Sequence, residues 1–148
     1  MTEQTWYERH INIWQRLVDI AKSVTLNSLP IFDPNYVFWG EKFAVDHFPS
    51  CFVCPLPITI TNATYNHKFN ICDFEYGVVV RNSDVKQGYL DALSIIGKLY
   101  DAVVADPQLG KTVCKAEPIK AYPNWRNMGT GMEAFWGGLL VRVTEYGT

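Results

Sequence analysis

The fourteen residues KFNICDFEYGVVVR, Lys68 to Arg81, alternate in their second half, with Phe74, Tyr76, Val78 and Val80 on one side and Glu75, Gly77, Val79 and Arg81 on the other. That period of two is a strand, and a strand apolar on one side needs sheet neighbours and a second layer over that side. Phe69 and Ile71 fall in the opposite parity, which predicts a bulge or break near Cys72-Asp73.

Two helical patterns supply the second layer. Thr5 followed by Glu8 is a capping box, and behind it Trp6, His10, Ile13, Trp14, Leu17, Ile20, Ala21 and Val24 recur at three- and four-residue spacing. Glu8, Arg9, Gln15, Arg16, Asp19 and Lys22 fill the other side, so a helix over residues 5 to 27 lies on a surface with one face wet, ended by Asn27-Ser28-Leu29-Pro30. Ser83-Asp84 opens a second helix, residues 84 to 105, with Val85, Tyr89, Leu93, Ile96, Tyr100 and Val103 as the expected buried stripe, thickened by Ala92 and Leu99. Pro107 stops it. Shorter strands are expected at Tyr36 to Trp39, Phe48 to Cys54 and Ile58 to Thr61, and an antiparallel pair at Val113 to Tyr122 and Phe135 to Tyr146. The expected architecture is one α+β domain over residues 1 to 148, a mostly antiparallel sheet with two principal helices packed on one face.

At 48% hydrophobic and 19% charged residues, a chain of 148 can bury enough apolar surface to fold without metal or disulfide. Thirteen basic and 15 acidic residues give a net charge of −2 without a basic run, so direct sequence-specific nucleic-acid binding is not expected. The first twenty residues hold no long apolar run, so neither a signal peptide nor a membrane partner is expected and the chain is placed in the cytosol. Cys51, Cys54, Cys72 and Cys114 are then read as reduced thiols, and the Asn62-Ala63-Thr64 sequon as chance.

ADPQLGKT, Ala105 to Thr112, ends like a phosphate-binding loop. Such a loop needs glycine where Ala105 stands, a strand before it and a helix after it; here the order is helix, Pro107, strand. A helix stop and a turn account for the stretch without a ligand. Cys51, Cys54, His67 and Cys72 have enough ligands for a tetrahedral zinc site. Residues three apart on a strand point to opposite faces, however, so Cys51 and Cys54 share an ion only if Pro55 and Pro57 turn the chain. Buried thiols are the favoured reading, a small zinc-binding module the alternative, and no cofactor is expected. No nucleophile elbow or His-x3-His pattern occurs; His10 lies on an apolar stripe, and His47 beside Asp46 lacks a nucleophile to serve. No catalytic residue is assigned.

In layout, FPSCFVCPLPI, GYLDALSIIGKLYDAVVADPQLGKTV and FWGGLLVRVTEYG resemble the tail-completion or tail-terminator proteins of long-tailed bacteriophages. The resemblance rests on apolar periodicity and a Leu-Gly turn and covers most of the chain. It implies an α+β fold, a homo-hexameric ring on the head-proximal end of the tail tube, and a non-enzymatic role in stopping tube growth and docking the head. The implied partners are further copies of the chain, the tail tube protein and a head–tail connector or stopper; the implied location is the virion, after assembly in the host cytoplasm. The Cys51/Cys54 pair and the long aromatic loop from Pro123 to Gly131, which holds Trp125, depart from the pattern and leave another neck or minor tail protein as an alternative. Interface candidates are Trp125, Arg126, Asn127 and Met128 in that loop and Asn62, Tyr65 and His67 in the turn before the long strand, all unexplained by the core.

Overall fold

The computed structural model describes residues 5–40, 47–62, 68–110, 115–122 and 134–147. Helix α1 (Trp6–Ser23) starts with the capping box: the Glu8 amide donates to Thr5 Oγ1 at 3.1 Å and the Thr5 amide to Glu8 Oε2 at 3.0 Å. It ends four residues earlier than its pattern predicts. Asn27 and Ser28 both take positive φ, 53° and 67°, which makes them the turn of a small hairpin between β1 (Thr25–Leu26) and β2 (Leu29–Pro30). Val24, extended at the helix end, lends its carbonyl to the Ile31 amide at 3.1 Å. The hairpin therefore wins over a last helical turn.

The main sheet contains β3 (Val37–Trp39), β4 (Ser50–Asn62), β5 (Lys68–Arg81), β6 (Lys115–Tyr122) and β7 (Ala134–Gly147), in the order β3-β4-β5-β7-β6. Only β3 and β4 run parallel. Two of the expected short strands are the single strand β4. The predicted irregularity lies in β4 and not in β5: Pro55 faces Phe74 and Ile58 faces Cys72, so β4 carries the extra residue, whereas β5 pairs with β7 unbroken from Lys68 to Arg81. Pro55 and Pro57 have no N–H to give the ladder, and a bulge is where a strand accommodates them.

Both helices cover one face. Ile13, Leu17 and Val18 of α1, and Ala92, Ile96 and Leu99 of α2 (Val85–Val104), share a core with Phe74, Tyr76 and Val78 of β5 and Leu139, Val141 and Val143 of β7. The buried Tyr76 hydroxyl donates to the Leu17 carbonyl at 2.6 Å, which ties the middle of α1 to the middle strand, and burial pushes the phenol's pKa well up. On the other face Phe38, Phe52 and Trp136 stack in sequence, with centroids 5.5 and 5.7 Å apart. Gly77, between Phe52 and Gly138 in register, leaves room there for the Trp136 ring.

After α2, Asp106 to Gly110 form the turn that ADPQLGKT predicts, with Leu109 (φ 44°) fully buried and Gly110 at φ 66°. The Asp106 carboxylate accepts from the Gly110 amide at 2.8 Å and from Arg16 at 2.8 and 3.0 Å. Partial burial opposes its charge, but the Gly110 and Arg16 hydrogen bonds win and hold its pKa below the ordinary carboxylate value. Lys111 and Thr112 lie outside the described residues.

Candidate interaction surface

The interface candidates of the aromatic loop, Trp125, Arg126, Asn127 and Met128, and Tyr65 and His67 of the turn, lie outside the described residues; of Asn62 the backbone is placed, paired with Lys68 where β4 meets β5. The cysteines are not brought together. Cys51 sits fully buried in the core under the helices, while Cys54, three residues on, packs with the Phe52 cluster on the opposite face. Cys51 pairs with Val78, six residues along β5 from Cys72, a separation of about 20 Å at strand rise. Burial pushes the Cys51 thiol far up and the Cys72 thiol up to about 11, the latter with help from Glu145 and Asp73, so both are protonated at neutral pH. His67 and Cys114 lie outside the described residues, and among those described no group of three or more His, Cys, Asp or Glu is placed to hold a metal.

Polar groups do meet at one end of the core, which the sequence patterns did not reveal. Glu145 falls in the parity of Val141 and Val143 and is therefore buried, and the Arg9 guanidinium of α1 caps it. One helix residue further on, the His10 ring stacks between Trp6 and Phe74, with centroids 5.5 and 5.4 Å away, and its buried Nδ1 has no hydrogen-bond partner. Burial lowers the imidazole's pKa more than the Glu145 charge raises it, so the folded chain resists the proton that the unfolded chain accepts. Stability is consequently expected to be full above the unfolded value of about 6.5, to decline as pH falls from there through the lowered folded value, and to change no further below it through this group. His10→Phe should flatten that part of the pH–stability curve, measured by urea unfolding between about pH 7 and 5; an unchanged slope would mean that His10 is not its source.

Among the described residues, α2 carries the largest group of exposed apolar side chains. Its inner side is Gly88, Ala92, Ile95, Ile96, Leu99 and Val103, not the expected stripe in full: Val85, Tyr89, Leu93 and Tyr100 are substantially exposed. The helix is apolar over a broad arc, and the sheet takes the edge with the small residues because these allow close approach; Gly88 lies directly against the Phe135 ring. What is left outside is a ridge of Tyr89, Leu93, Tyr100 and Val104. Tyr89 leans on Phe135, and Tyr100 borders a shallow depression over β6 formed with Pro118 to Ala121. On the opposite flank of α2 lies a groove of about 370 Å³, walled by Leu26 and Leu29 of the hairpin, Phe48-Pro49 and Ile95, with Arg81, Asp91 and Ser94 at its polar side. Asp91 is held there by Asn82 at 3.1 Å and Gln87 at 2.7 Å.

Fold and surface together define an α+β domain: a five-stranded, mostly antiparallel sheet with two helices on one face. None of its described helices is long and apolar enough to cross a membrane. No protein-family model matches the chain, and no curated protein matches it in sequence.

Proposed function

We propose that the chain is a structural subunit of a phage tail, one that assembles as a ring of six on the head-proximal end of the tail tube, stops tube growth and presents a surface to the head connector or stopper. The observation that carries this reading is the apolar ridge of α2, half-exposed along a helix whose core face is already satisfied. Contiguous exposed apolar surface of that kind marks a protein–protein contact. The order of helix, strands, capped helix and closing strand pair agrees with the resemblance to tail-terminator proteins, and that resemblance supplies the phage context.

Native mass spectrometry with purified tail tubes tests it. Six copies are expected at one end of each tube, with tubes that no longer elongate when further tube protein is added. A chain that leaves tube growth unchanged and stays unbound would remove the tail-capping role.

A further inference from the structure

The two apolar surfaces of α2 differ in shape and lie on opposite flanks. At 100° per residue, Tyr89, Leu93, Tyr100 and Val104 centre about 160° around the helix from Asp91, Ser94 and Ile95, which line the groove. One surface is a convex ridge, the other a concave slot. From this arrangement we infer that copies of this chain associate head to tail, the α2 ridge of one copy seated in the groove between α2 and the β1–β2 hairpin of the next. The inference deepens the proposed function by naming the two faces of the subunit contact, and it rests on that reading only for the number of copies.

Area supports a second copy as the occupant. The ridge residues, with Val85, Leu90 and Ile119 beside them, are 38–59% exposed and present on the order of 600 Å² of accessible surface, most of the roughly 800 Å² per partner of a standard interface. The groove offers matching chemistry: aliphatic walls from Leu26 and Leu29, both at least half exposed, for the ridge's rings and methyls, and Arg81, Asp91 and Ser94 for the hydroxyls of Tyr89 or Tyr100. A twofold contact of ridge on ridge would leave the hairpin leucines in water, whereas a head-to-tail contact covers both surfaces at once. Such a contact repeats from copy to copy and closes into a ring when the rotation allows.

Gly97 adds an independent mark. It lies in the middle of α2 beside the ridge, and a Cβ built there meets nothing within 4 Å. Among the described residues nothing requires a glycine there, and glycine is a poor helix residue, but a closely approaching neighbour would require one.

Sedimentation velocity on the purified chain, over a concentration series, is the test. The parent is expected to form species larger than a monomer as concentration rises, and Leu93→Glu on the ridge and Leu29→Glu on the hairpin are each expected to be monomeric at every concentration. Both positions are exposed, so folding should survive, as circular dichroism would show. The decisive sample is the mixture. Leu93→Glu keeps an intact groove and Leu29→Glu an intact ridge, so together they should give a one-to-one dimer and nothing larger. A parent monomeric throughout, variants that associate like the parent, or a mixture that stays monomeric would each overturn the contact. Copies that associate in this way without binding tail tube would leave the contact standing and defeat the tail-capping role. Six copies on a tube, unaffected by either substitution, would do the reverse.

Discussion

Arg9→Met is expected to destabilise the fold by about 3 kcal/mol near neutral pH, the low end of the range for breaking a buried ion pair. The low end applies because the Arg9 side chain is itself a third exposed, while that of Glu145 is only 6% exposed. Met keeps most of the aliphatic stem, so packing against α1's surroundings survives and the loss isolates the charge. What remains is a carboxylate between strands, without its guanidinium, in a place where water reaches poorly. Replacing both partners should cost much less than replacing Arg9 alone: in Arg9→Met/Glu145→Gln the amide is neutral, and much of the stability should return. Urea unfolding of the four members of this cycle measures the coupling. A single-variant loss under about 1 kcal/mol would mean that solvent screens the pair and that it behaves as an ordinary surface bridge.

The same substitution at two glycines of α2 should have opposite signs. In Gly88→Ala the new methyl would fall inside the buried Phe135 ring, which the neighbouring Tyr89 ring also contacts. Neither the helix, anchored here by the Gly88 amide on the Asp84 carbonyl at 2.9 Å, nor the strand below can yield cheaply. Overpacking of this kind costs about 1–3 kcal/mol or more and should exceed the helix-propensity gain of up to about 1 kcal/mol. The methyl of Gly97→Ala meets nothing within 4 Å among the described residues and should raise monomer stability by roughly 0.5–1 kcal/mol. If Gly97 is where a second copy approaches, the stabilised variant should also associate more weakly, a combination that an unpartnered helix surface does not produce. Thermal unfolding of both variants, read beside their sedimentation, decides it; a destabilised Gly97→Ala would show that the helix is constrained there by something other than its own backbone preference.

The elements were legible where local chemistry decides them. Thr5 and Glu8, Asp84 and the alternation from Phe74 to Val80 each act within a few residues, and each appears in the fold where its pattern puts it. The misreadings share a different cause. Asn27-Ser28 is a stop signal in sequence, but only the pairing of Thr25 with Pro30 makes it a hairpin turn and shortens α1 to Ser23. Parity breaks within β5, yet the extra residue belongs to β4, where two prolines interrupt the ladder; parity within one strand does not say which partner yields.

The surface follows the same division. By itself the sequence determined that two apolar-striped helices must cover one face of an antiparallel sheet, since a stripe exposed to water has no stable alternative within the chain. It could not determine which edge of α2's broad apolar arc turns inward. Tertiary packing made that choice: Gly88 and Ala92 let the helix approach the sheet, and Tyr89, Leu93 and Tyr100 were left outside as the ridge. Glu145 and His10 are the converse case, polar residues whose burial no local pattern announces, because the strand that buries one and the helix that buries the other lie 136 residues apart at their joining pair of Arg9 and Glu145. Contacts over such a distance in sequence are set by chain topology, and only the folded chain contains them.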